Sequence, residues 1–404
     1  MKTRVVVTGI GIISSIGIGV EAFWEQLLKG VSGISPVGAF DTTQHTTHVG
    51  GEVKHFDPAR YMTRKKSSCV GRASQMALAA SQLALQDAAL DKKGDWRQRT
   101  AVCMGTTMGE IGIVEAASHR WVQFGETCLD TAPLHRSPAY NIAANVAIEL
   151  KLQGSNQMFT TACAAGNYAI SCGFDLLRDG EADVVLAGGA DTFSWIAFTG
   201  FNKVGATAPE KCQPFDLNRK GMIPGEGAAI LVLETYTGAR KRNAKIYAEI
   251  LGCGFSCDAV HMTNPQVEGV AKCMENALAQ TGLDPADVDY VSAHGTGTLH
   301  NDRTESAAIG KVFGGRKVPV SSIKSMLGHT LGAASAIEAA ACCLAIRDGI
   351  VPPTINYETA DPACEIDCIP NKARRFNVDI ALNNGFAFGG NNSCLAVKKI
   401  TQPA

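Results

Sequence analysis

Cys163 stands in a sequence context that could support nucleophilic chemistry. It follows a strand-like run ending at Phe159 and precedes the small residues Ala164, Ala165 and Gly166, which open a helix. A strand-to-helix turn of this kind places the sulfur near the positive end of a helix dipole, which favours the thiolate. It also leaves backbone N–H groups to stabilise an oxyanion. Taken alone, the same pattern fits a buried structural cysteine equally well.

Two histidines strengthen the functional interpretation. His294 precedes Gly295-Thr296-Gly297-Thr298, a loop with little side-chain bulk, and His329 ends the segment that begins at Lys324. We predict that each histidine lies at the C-terminal end of a strand, where open α/β sheets bind ligands. A cysteine at a helix start together with two such histidines indicates acyl chemistry.

The elements that must position these residues alternate between strands and helices along the chain. Strand-like runs occupy residues 5–8, 184–187, 289–293 and 318–322, and helical patterns occupy residues 74–90, 164–178, 304–313 and 331–347. This alternation predicts an α/β protein with a largely parallel sheet.

A weak internal repeat predicts two related halves. The stretches from Ala164 to Gly180 and from Ala333 to Gly349 share an opening Ala-Ala and a closing Arg-Asp-Gly, and one constant offset relates both matches. No linker-like tract separates the halves. We therefore predict that an N-terminal half, 1–250, carries the nucleophile and packs against a C-terminal half, 251–404, which carries the histidines.

Composition and charge exclude several classes of protein. The chain has 404 residues, 46% hydrophobic and 19% charged, so it can bury a large core and is not a disordered or linker-like protein. Its 37 basic and 38 acidic residues give a net charge of −1, which excludes a nucleic-acid binder that works by broad phosphate neutralisation. The apolar run 5–20 is broken by glycines and leads into a helical pattern, so we predict neither a signal peptide nor a membrane span.

The 14 cysteines bear on compartment and metal binding. Without export, they predict free thiols in the reducing cytoplasm rather than a disulfide scaffold. The pairs Cys253/Cys257 and Cys364/Cys368 have a spacing that a metal could use, but neither has a second pair nearby, and packing is the alternative for both. No metal site is therefore predicted.

A series of ordered motifs gives the chain a family resemblance. The motifs are Val6–Gly11, Thr161–Cys163, Ala187–Asp191, Pro214–Asp216, Pro224–Gly227, Ala293–Thr298, Lys324–His329 and Asn384–Asn391. With them the chain resembles, over essentially its whole length, the elongating β-ketoacyl-acyl-carrier-protein synthases of the thiolase superfamily. The resemblance implies a thiolase-like α/β fold, in which two duplicated halves form five layers, α-β-α-β-α.

The resemblance also implies the reaction and the residues that perform it. Cys163 would accept an acyl chain from a carrier-protein thioester, and malonyl on a second carrier would lose CO2 and attack it. His294 and His329 would donate hydrogen bonds to the malonyl thioester oxygen, at least one of them through Nε2. The backbone N–H groups of Cys163 and Phe388 would hold the oxyanion of the acylation step. No metal or organic cofactor is expected, because decarboxylation drives the condensation.

Other residues match positions that surround the family's reaction centre. Lys324 would tune the charge of the site, with Glu338 behind it, and Phe388 would act as a gate. The remaining matches are pantetheine-binding Thr296 and Thr298, acyl-pocket Met108 and Phe201, and a dock for the acyl carrier protein formed by Arg64, Lys65, Lys66 and Lys203. Each set has an alternative. The threonine hydroxyls could simply stabilise their loop, Met108 and Phe201 could be ordinary core residues, and the basic residues could form a solvated charged face.

Some residues depart from the family pattern. Leu299 and His300 follow Thr298 where a proline is usual, and Ala387 replaces a glycine between two phenylalanines. The stretch Ala164–Asn167 is more similar to ketosynthases of type II polyketide pathways. Polyketide and fatty-acid elongation both stay open.

The resemblance implies a dimer. It would consist of two copies, or of one copy and a chain-length-factor homologue that lacks the nucleophile. The competing interpretation is a non-catalytic chain-length-determining or scaffold partner of another ketosynthase. Cys163 disfavours that interpretation, because such homologues replace the nucleophile.

Overall fold

The computed structural model describes residues 3–90, 95–125 and 134–400. Its strands are β1 (Val5–Ser14), β2 (Gly17–Ile18), β3 (Ser35–Pro36), β4 (Val49–Gly50), β5 (Thr100–Gly105), β6 (Asn156–Phe159), β7 (Val184–Asp191), β8 (Gly227–Thr235), β9 (Ala248–Cys257), β10 (Tyr290–Ser292), β11 (Pro319–Ser321), β12 (Ile350–Val351), β13 (Asp367–Cys368), β14 (Arg374–Arg375), β15 (Ile380–Phe386) and β16 (Asn391–Lys398). Its α-helices are α1 (Val20–Leu28), α2 (Arg64–Ser67), α3 (Arg72–Asp87), α4 (Ile111–Phe124), α5 (Asn141–Leu150), α6 (Ala165–Arg178), α7 (Trp195–Lys203), α8 (Tyr236–Lys241), α9 (Val267–Thr281), α10 (Leu299–Val312), α11 (Lys324–Leu327) and α12 (Ala334–Asp348). Among the described residues, no helix combines the length and the apolar character that crossing a membrane requires.

Most strands form one mixed sheet in the order β13-β11-β10-β15-β16-β9-β1-β8-β7-β5-β6, with β2 paired to β1. The strands near both ends pair in parallel, β5 with β6 and β7, and β10 with β11 and β15. The strands between β7 and β15 pair antiparallel. The prediction of a largely parallel sheet is therefore wrong for its middle. There, β15 and β16 are joined by the short turn Phe388–Gly390, which an antiparallel pair allows and a parallel pair does not.

Helices divide the molecule into layers. α3 and α5 pack on the part of the sheet that contains β1 and β5 to β8, and α9, with α10 beside it, packs on the part that contains β9 and β16. Between these two parts lie α6 and α12, which contact each other and strands of both parts. The layers run α-β-α-β-α, so the predicted five-layered thiolase-like fold is confirmed.

Small residues allow the two central helices to pack closely. Every residue of α12 from Ala334 to Ile346 is buried, and most of them are alanine or cysteine. A β-carbon added at Gly166 in α6 would lie only 2.7 Å from the backbone nitrogen of Ala336, so this contact requires glycine. Cys342 and Cys343 are among the buried residues of α12, where they fill core volume as small apolar side chains.

The repeat seen in the sequence has a structural counterpart. Ala162 and Leu331, which occupy equivalent places in the two repeats, both have positive φ angles, of 47° and 53°. Each opens a single 3-10 turn that leads into a central helix, α6 in one case and α12 in the other. The division of the chain at residue 250 stays a prediction, and that position lies within β9.

Candidate active site

Cys163 lies on the turn that joins β6 to α6. The left-handed conformation of Ala162 reverses the chain just before the cysteine, which sits in the 3-10 turn Ala162–Ala164 and is 8% exposed. The backbone N–H groups of Cys163 and Phe388 donate no hydrogen bond to another described residue. Both donors are therefore available to hold an oxyanion beside the sulfur.

The electrostatic environment of Cys163 corrects one expectation from the sequence. Burial raises the pKa of the Cys163 thiol to about 12, whereas the helix start was expected to favour the thiolate. The Lys324 ammonium opposes this rise. Desolvation of a charged sulfur outweighs the favourable charge because the side chain is enclosed. The neutral thiol is therefore the resting form, and its proton must leave when the thioester is attacked.

His294 and His329 meet Cys163 in a compact cluster. One ligand atom from each of the three side chains lies within 4.8 Å of the other two, and the imidazole rings are 5.3 Å apart between centres. Burial, reinforced by the charge of Lys324, lowers the pKa of each imidazole well below its ordinary value. Both rings are therefore neutral at pH 7.

One hydrogen bond fixes the tautomer of His329. The backbone N–H of Leu331 donates to Nδ1 of His329 over 3.1 Å. Nδ1 therefore presents a lone pair, and the neutral ring carries its proton on Nε2. A neutral imidazole with an Nε2–H is a donor suited to a carbonyl oxygen on which negative charge develops.

Different secondary-structure elements position the two histidines in the cluster. His294 follows β10, which ends at Ser292, as expected for a residue beyond the C-terminal end of a strand. The same prediction is wrong for His329: β11 ends at Ser321, and the one-turn helix α11 comes between. The backbone N–H of His329 instead donates to the carbonyl of Ile223 over 2.6 Å.

Glu305 holds the loop that presents His294, a role that sequence analysis missed. Its two carboxylate oxygens accept the backbone N–H groups of His294 and Gly295, each over 2.8 Å, and Asn384 donates a third bond. Burial raises the pKa of Glu305 to about 7, and these donors oppose the rise. The available signal was an acidic pair three residues apart, Asp302 and Glu305, on one face of the helix that follows the histidine loop.

Asp191 also holds backbone around the site, and it joins two segments that are far apart in the chain. Its carboxylate accepts the backbone N–H groups of Thr107 and Met108, before α4, and that of Gly332, three residues beyond His329. Burial raises the pKa of Asp191 to about 6, and these bonds oppose the rise. One side chain thus ties the loop after β5 to the segment that carries His329.

Lys324 and Glu338 form a buried ion pair between α11 and α12, and both side chains are 2% exposed. Burial raises the pKa of Glu338 to about 7, and Lys324 opposes the rise. The charge of Lys324 also lowers the pKa values of Cys163, His294 and His329. This lysine therefore acts electrostatically on all three members of the cluster.

Breaking this ion pair should cost stability. We expect Lys324→Met to lower the free energy of unfolding by about 3–5 kcal/mol, because Glu338 would remain buried without a partner. The double variant Lys324→Met/Glu338→Leu should recover most of that loss, because an apolar pair replaces the ionic one. Urea unfolding of the three proteins measures the difference. Equal losses in the single and double variants would contradict the ion-pair explanation.

The cluster also has the composition of a metal site, because one cysteine and two histidines are a donor set that zinc uses. A ligating nitrogen needs a lone pair, but His329 directs its lone pair at the Leu331 N–H and keeps Nε2 protonated. The nearby charge of Lys324 further disfavours a cation. The donors therefore fit a nucleophile with two hydrogen-bond donors better than a metal centre. In the described ranges, neither predicted C-x3-C pair joins a group of three or more ligands.

A cleft of about 410 Å³ opens onto the cluster, with Cys163, His294 and His329 among its lining residues. Phe201 and Phe388 line it as well, and their ring centres are 6.0 Å apart. Phe388 is 40% exposed, so the predicted gate residue lies at the boundary between cleft and solvent.

The other predicted substrate-binding residues divide into two groups. Thr296 and Thr298 line the cleft, and their hydroxyl oxygens are 2.9 Å apart, which fits both pantetheine binding and loop stabilisation. Met108 does not line this cleft, and its half-buried side chain follows β5 at the loop held by Asp191. Within a single chain, the structure thus brings Phe201 but not Met108 to the nucleophile.

The four residues of the predicted carrier-protein dock also differ in their distance from the cleft. Arg64, Lys65 and Lys66 form most of the short helix α2, and Lys66 lies 3.8 Å from the Glu149 carboxylate. These three residues do not line the nucleophile cleft. Lys203 is exposed at the end of α7, next to a residue that does line the cleft.

Comparisons with known proteins cover almost the whole chain. The family described as "Beta-ketoacyl synthase, N-terminal domain" matches residues 2–239, and "Beta-ketoacyl synthase, C-terminal domain" matches residues 247–358. Nodulation protein E of Rhizobium sp. (strain N33) is 39% identical, with 99% of this chain and 100% of that protein covered. A 3-oxoacyl-(acyl-carrier-protein) synthase 2 of Coxiella burnetii is 38% identical, with 99% of each chain covered.

Solved structures agree with the sequence matches. "The ishigamide ketosynthase/chain length factor" has a TM-score of 0.97 at 42% identity, with 99% of this chain and 100% of that chain covered. A type II polyketide synthase acyl-carrier protein in complex with its ketosynthase bound to the hexaketide has a TM-score of 0.91 at 32% identity, with the same coverage. Because the N-terminal family match alone spans more than half of the residues, and the two relatives named above match almost all of them, the chain belongs to the β-ketoacyl synthase family.

Proposed function

We propose that the chain is a β-ketoacyl-acyl-carrier-protein synthase that elongates an acyl chain held on Cys163 by decarboxylative condensation with a malonyl group. The observation that carries this proposal is the cluster of one thiol and two neutral imidazoles within 4.8 Å at a cleft. Relatives named 3-oxoacyl-(acyl-carrier-protein) synthase 2 support the reaction type.

The first half-reaction loads the enzyme. The Cys163 sulfur attacks the carbonyl carbon of the acyl thioester, and the resulting oxyanion is held by the backbone N–H groups of Cys163 and Phe388. The bond to the carrier sulfur breaks, and the thiol proton ends on the departing carrier thiol. Because the Cys163 thiol rests in its neutral form, proton transfer has to accompany the attack.

The second half-reaction forms the new carbon–carbon bond. The Nε2–H of His329, together with His294, donates to the malonyl thioester oxygen while the carboxylate leaves as CO2. The enolate carbon attacks the acyl carbonyl on Cys163, the carbon–sulfur bond breaks, and the sulfur leaves as thiolate. The thiolate then takes up from solvent the one proton that this half-reaction consumes. Burial, reinforced by the charge of Lys324, keeps both imidazoles neutral, and the same charge stabilises the departing sulfur.

The partners follow from the substrates. Both acyl groups arrive on an acyl carrier protein, and Lys203 with Arg64, Lys65 and Lys66 is proposed as its dock. A structure of a ketosynthase with its acyl-carrier protein supports the carrier as a partner. A structure of a ketosynthase with its chain length factor supports a dimer of unlike subunits, and a dimer of two copies is the alternative. The thirteen cysteines in the described ranges are free thiols, which supports a reducing compartment such as the cytoplasm.

A reconstitution assay tests this proposal against the scaffold alternative. The purified chain is incubated with an acyl-loaded and a malonyl-loaded carrier protein, with and without a chain-length-factor homologue. We expect mass spectrometry to show an acyl adduct on Cys163 and a β-ketoacyl carrier two carbons longer than the starter. A folded chain that forms neither species with the partner present would contradict the proposal and favour the scaffold role.

A further inference from the structure

Asp191 ends β7 at the point where two distant segments meet beside the reaction centre. Its side chain is fully buried, and its carboxylate accepts four hydrogen bonds. Three donors belong to the loop after β5, namely the Thr106 hydroxyl and the backbone N–H groups of Thr107 and Met108. The fourth donor is the backbone N–H of Gly332, over 2.6 Å. Because three bonds fix the carboxylate to one segment, the fourth bond fixes the position of the other.

The turn that contains Gly332 depends on such outside contacts. Leu331, its first residue, has a φ angle of 53°, which is unfavourable for a residue with a side chain. The turn also packs tightly, because a β-carbon added at Gly332 would lie 2.5 Å from the backbone of Thr106. The hydrogen bond to Asp191 therefore holds a strained turn against the loop after β5.

This turn determines which nitrogen of His329 carries the proton. The backbone N–H of Leu331, the neighbour of Gly332, donates to Nδ1 of His329 over 3.1 Å. The backbone of His329 is held separately, by hydrogen bonds with Ile223 and Gly225 over 2.6 and 2.9 Å. A displaced turn would therefore leave this backbone in place and remove the donor from Nδ1. The neutral ring would then be free to carry its proton on Nδ1 and to present a bare Nε2 to the thioester oxygen.

We propose that Asp191 is a positioning residue for malonyl decarboxylation: by holding the turn after His329, it keeps the proton of the neutral imidazole on Nε2. Asp191 acts through the backbone of this turn and not by contact with the substrate. The inference rests on the proposed function, because it assumes that His329 donates to the malonyl thioester oxygen.

Acylation of Cys163 does not depend on this turn. Its oxyanion is held by the backbone N–H groups of Cys163 and Phe388. Burial raises the pKa of the Cys163 thiol, and the charge of Asp191 adds to the rise. Removing the carboxylate therefore makes the thiol no harder to deprotonate. A positioning role predicts a split between the two half-reactions, whereas general damage to the fold would slow both.

Two rates and one spectrum of Asp191→Ala test the inference. With a malonyl-loaded carrier protein, we expect CO2 release to fall about 10- to 100-fold, while acylation of Cys163 stays within about threefold of the wild type. Long-range proton–nitrogen correlation spectra of protein labelled at histidine should show His329 protonated on Nε2 in the wild type and a mixture of tautomers in the variant. The His329 signal is identified by its loss in His329→Gln. The control Asp183→Ala removes an exposed carboxylate just before β7 and should match the wild type in all three measurements.

The outcomes separate this inference from the proposed function. A folded Asp191→Ala that slows both half-reactions equally, or that keeps His329 protonated on Nε2, would overturn the inference. A wild type that neither acylates Cys163 nor releases CO2 contradicts the proposed function, whereas the tautomer of His329 is measured without any substrate.

A second variant covers the case in which Asp191→Ala does not fold. In Asp191→Asn an amide nitrogen replaces one carboxylate oxygen, so the side chain no longer accepts all four hydrogen bonds. We expect CO2 release to fall about threefold to tenfold, with acylation unchanged. A folded Asp191→Asn with the wild-type rate of CO2 release would contradict the positioning role.

Discussion

Replacing Cys163 by alanine should abolish condensation and leave the fold intact. Without the sulfur no covalent acyl intermediate forms, so we expect product formation to fall by at least about a thousandfold. The substitution removes one atom from a turn among small residues, so the free energy of unfolding should change by roughly 1 kcal/mol. Mass spectrometry of the carrier-bound product, with urea unfolding of the same sample, measures both quantities.

A cysteine on α6, the helix that follows the Cys163 turn, provides the matched control. Cys172 is half-buried and lies nine residues beyond Cys163 in the chain, or about 14 Å at the helical rise. Cys172→Ala should form the acyl adduct and the product at the wild-type rate. Retention of a stable acyl adduct by Cys163→Ala would show that another residue is the nucleophile.

Replacing His329 by alanine should separate the two half-reactions. We expect release of CO2 from the malonyl thioester to fall about 10²- to 10³-fold, because the Nε2–H donor to the developing enolate is lost. Acylation of Cys163 should change far less, because backbone N–H groups rather than His329 hold the oxyanion of that step. Labelled CO2 release and the acyl adduct on Cys163 are measured on the same preparation.

Two further proteins control for general effects of this substitution. His119→Ala removes an exposed imidazole from α4 and should leave both rates unchanged. His329→Gln keeps a side-chain N–H donor and should retain more decarboxylation than His329→Ala. If His329→Ala slowed acylation as much as decarboxylation, the assignment of this histidine to the second half-reaction would be wrong.

The sequence was informative where local spacing determines structure. The strand-to-helix turn at Cys163 and the Ala-rich helix that became α12 both depend on residues close together in the chain. The same holds for His294, which follows a short strand directly. For these features, the patterns of small and apolar residues were sufficient.

Features that depend on distant segments could not be predicted. Asp191 acts by accepting the backbone N–H of Gly332, 141 residues away, and no local pattern records that partner. The position of His329 depends on the hydrogen bond from its backbone N–H to the carbonyl of Ile223, which lies in a different part of the chain. The pKa of Cys163 depends on burial by both central helices, which a single segment does not reveal.

The equivalent turns at Ala162 and Leu331 differ in one respect, and this difference affects how many acyl groups a dimer can bind. Gly332 takes the place in the second turn that Cys163 takes in the first, and a β-carbon there would lie 2.5 Å from the backbone of Thr106. The second turn therefore has no room for a nucleophile, and of these two turns only the first can carry an acyl group. Counting bound acyl groups then identifies the partner: a dimer of two copies saturates at two groups, and a dimer with a homologue lacking the cysteine saturates at one.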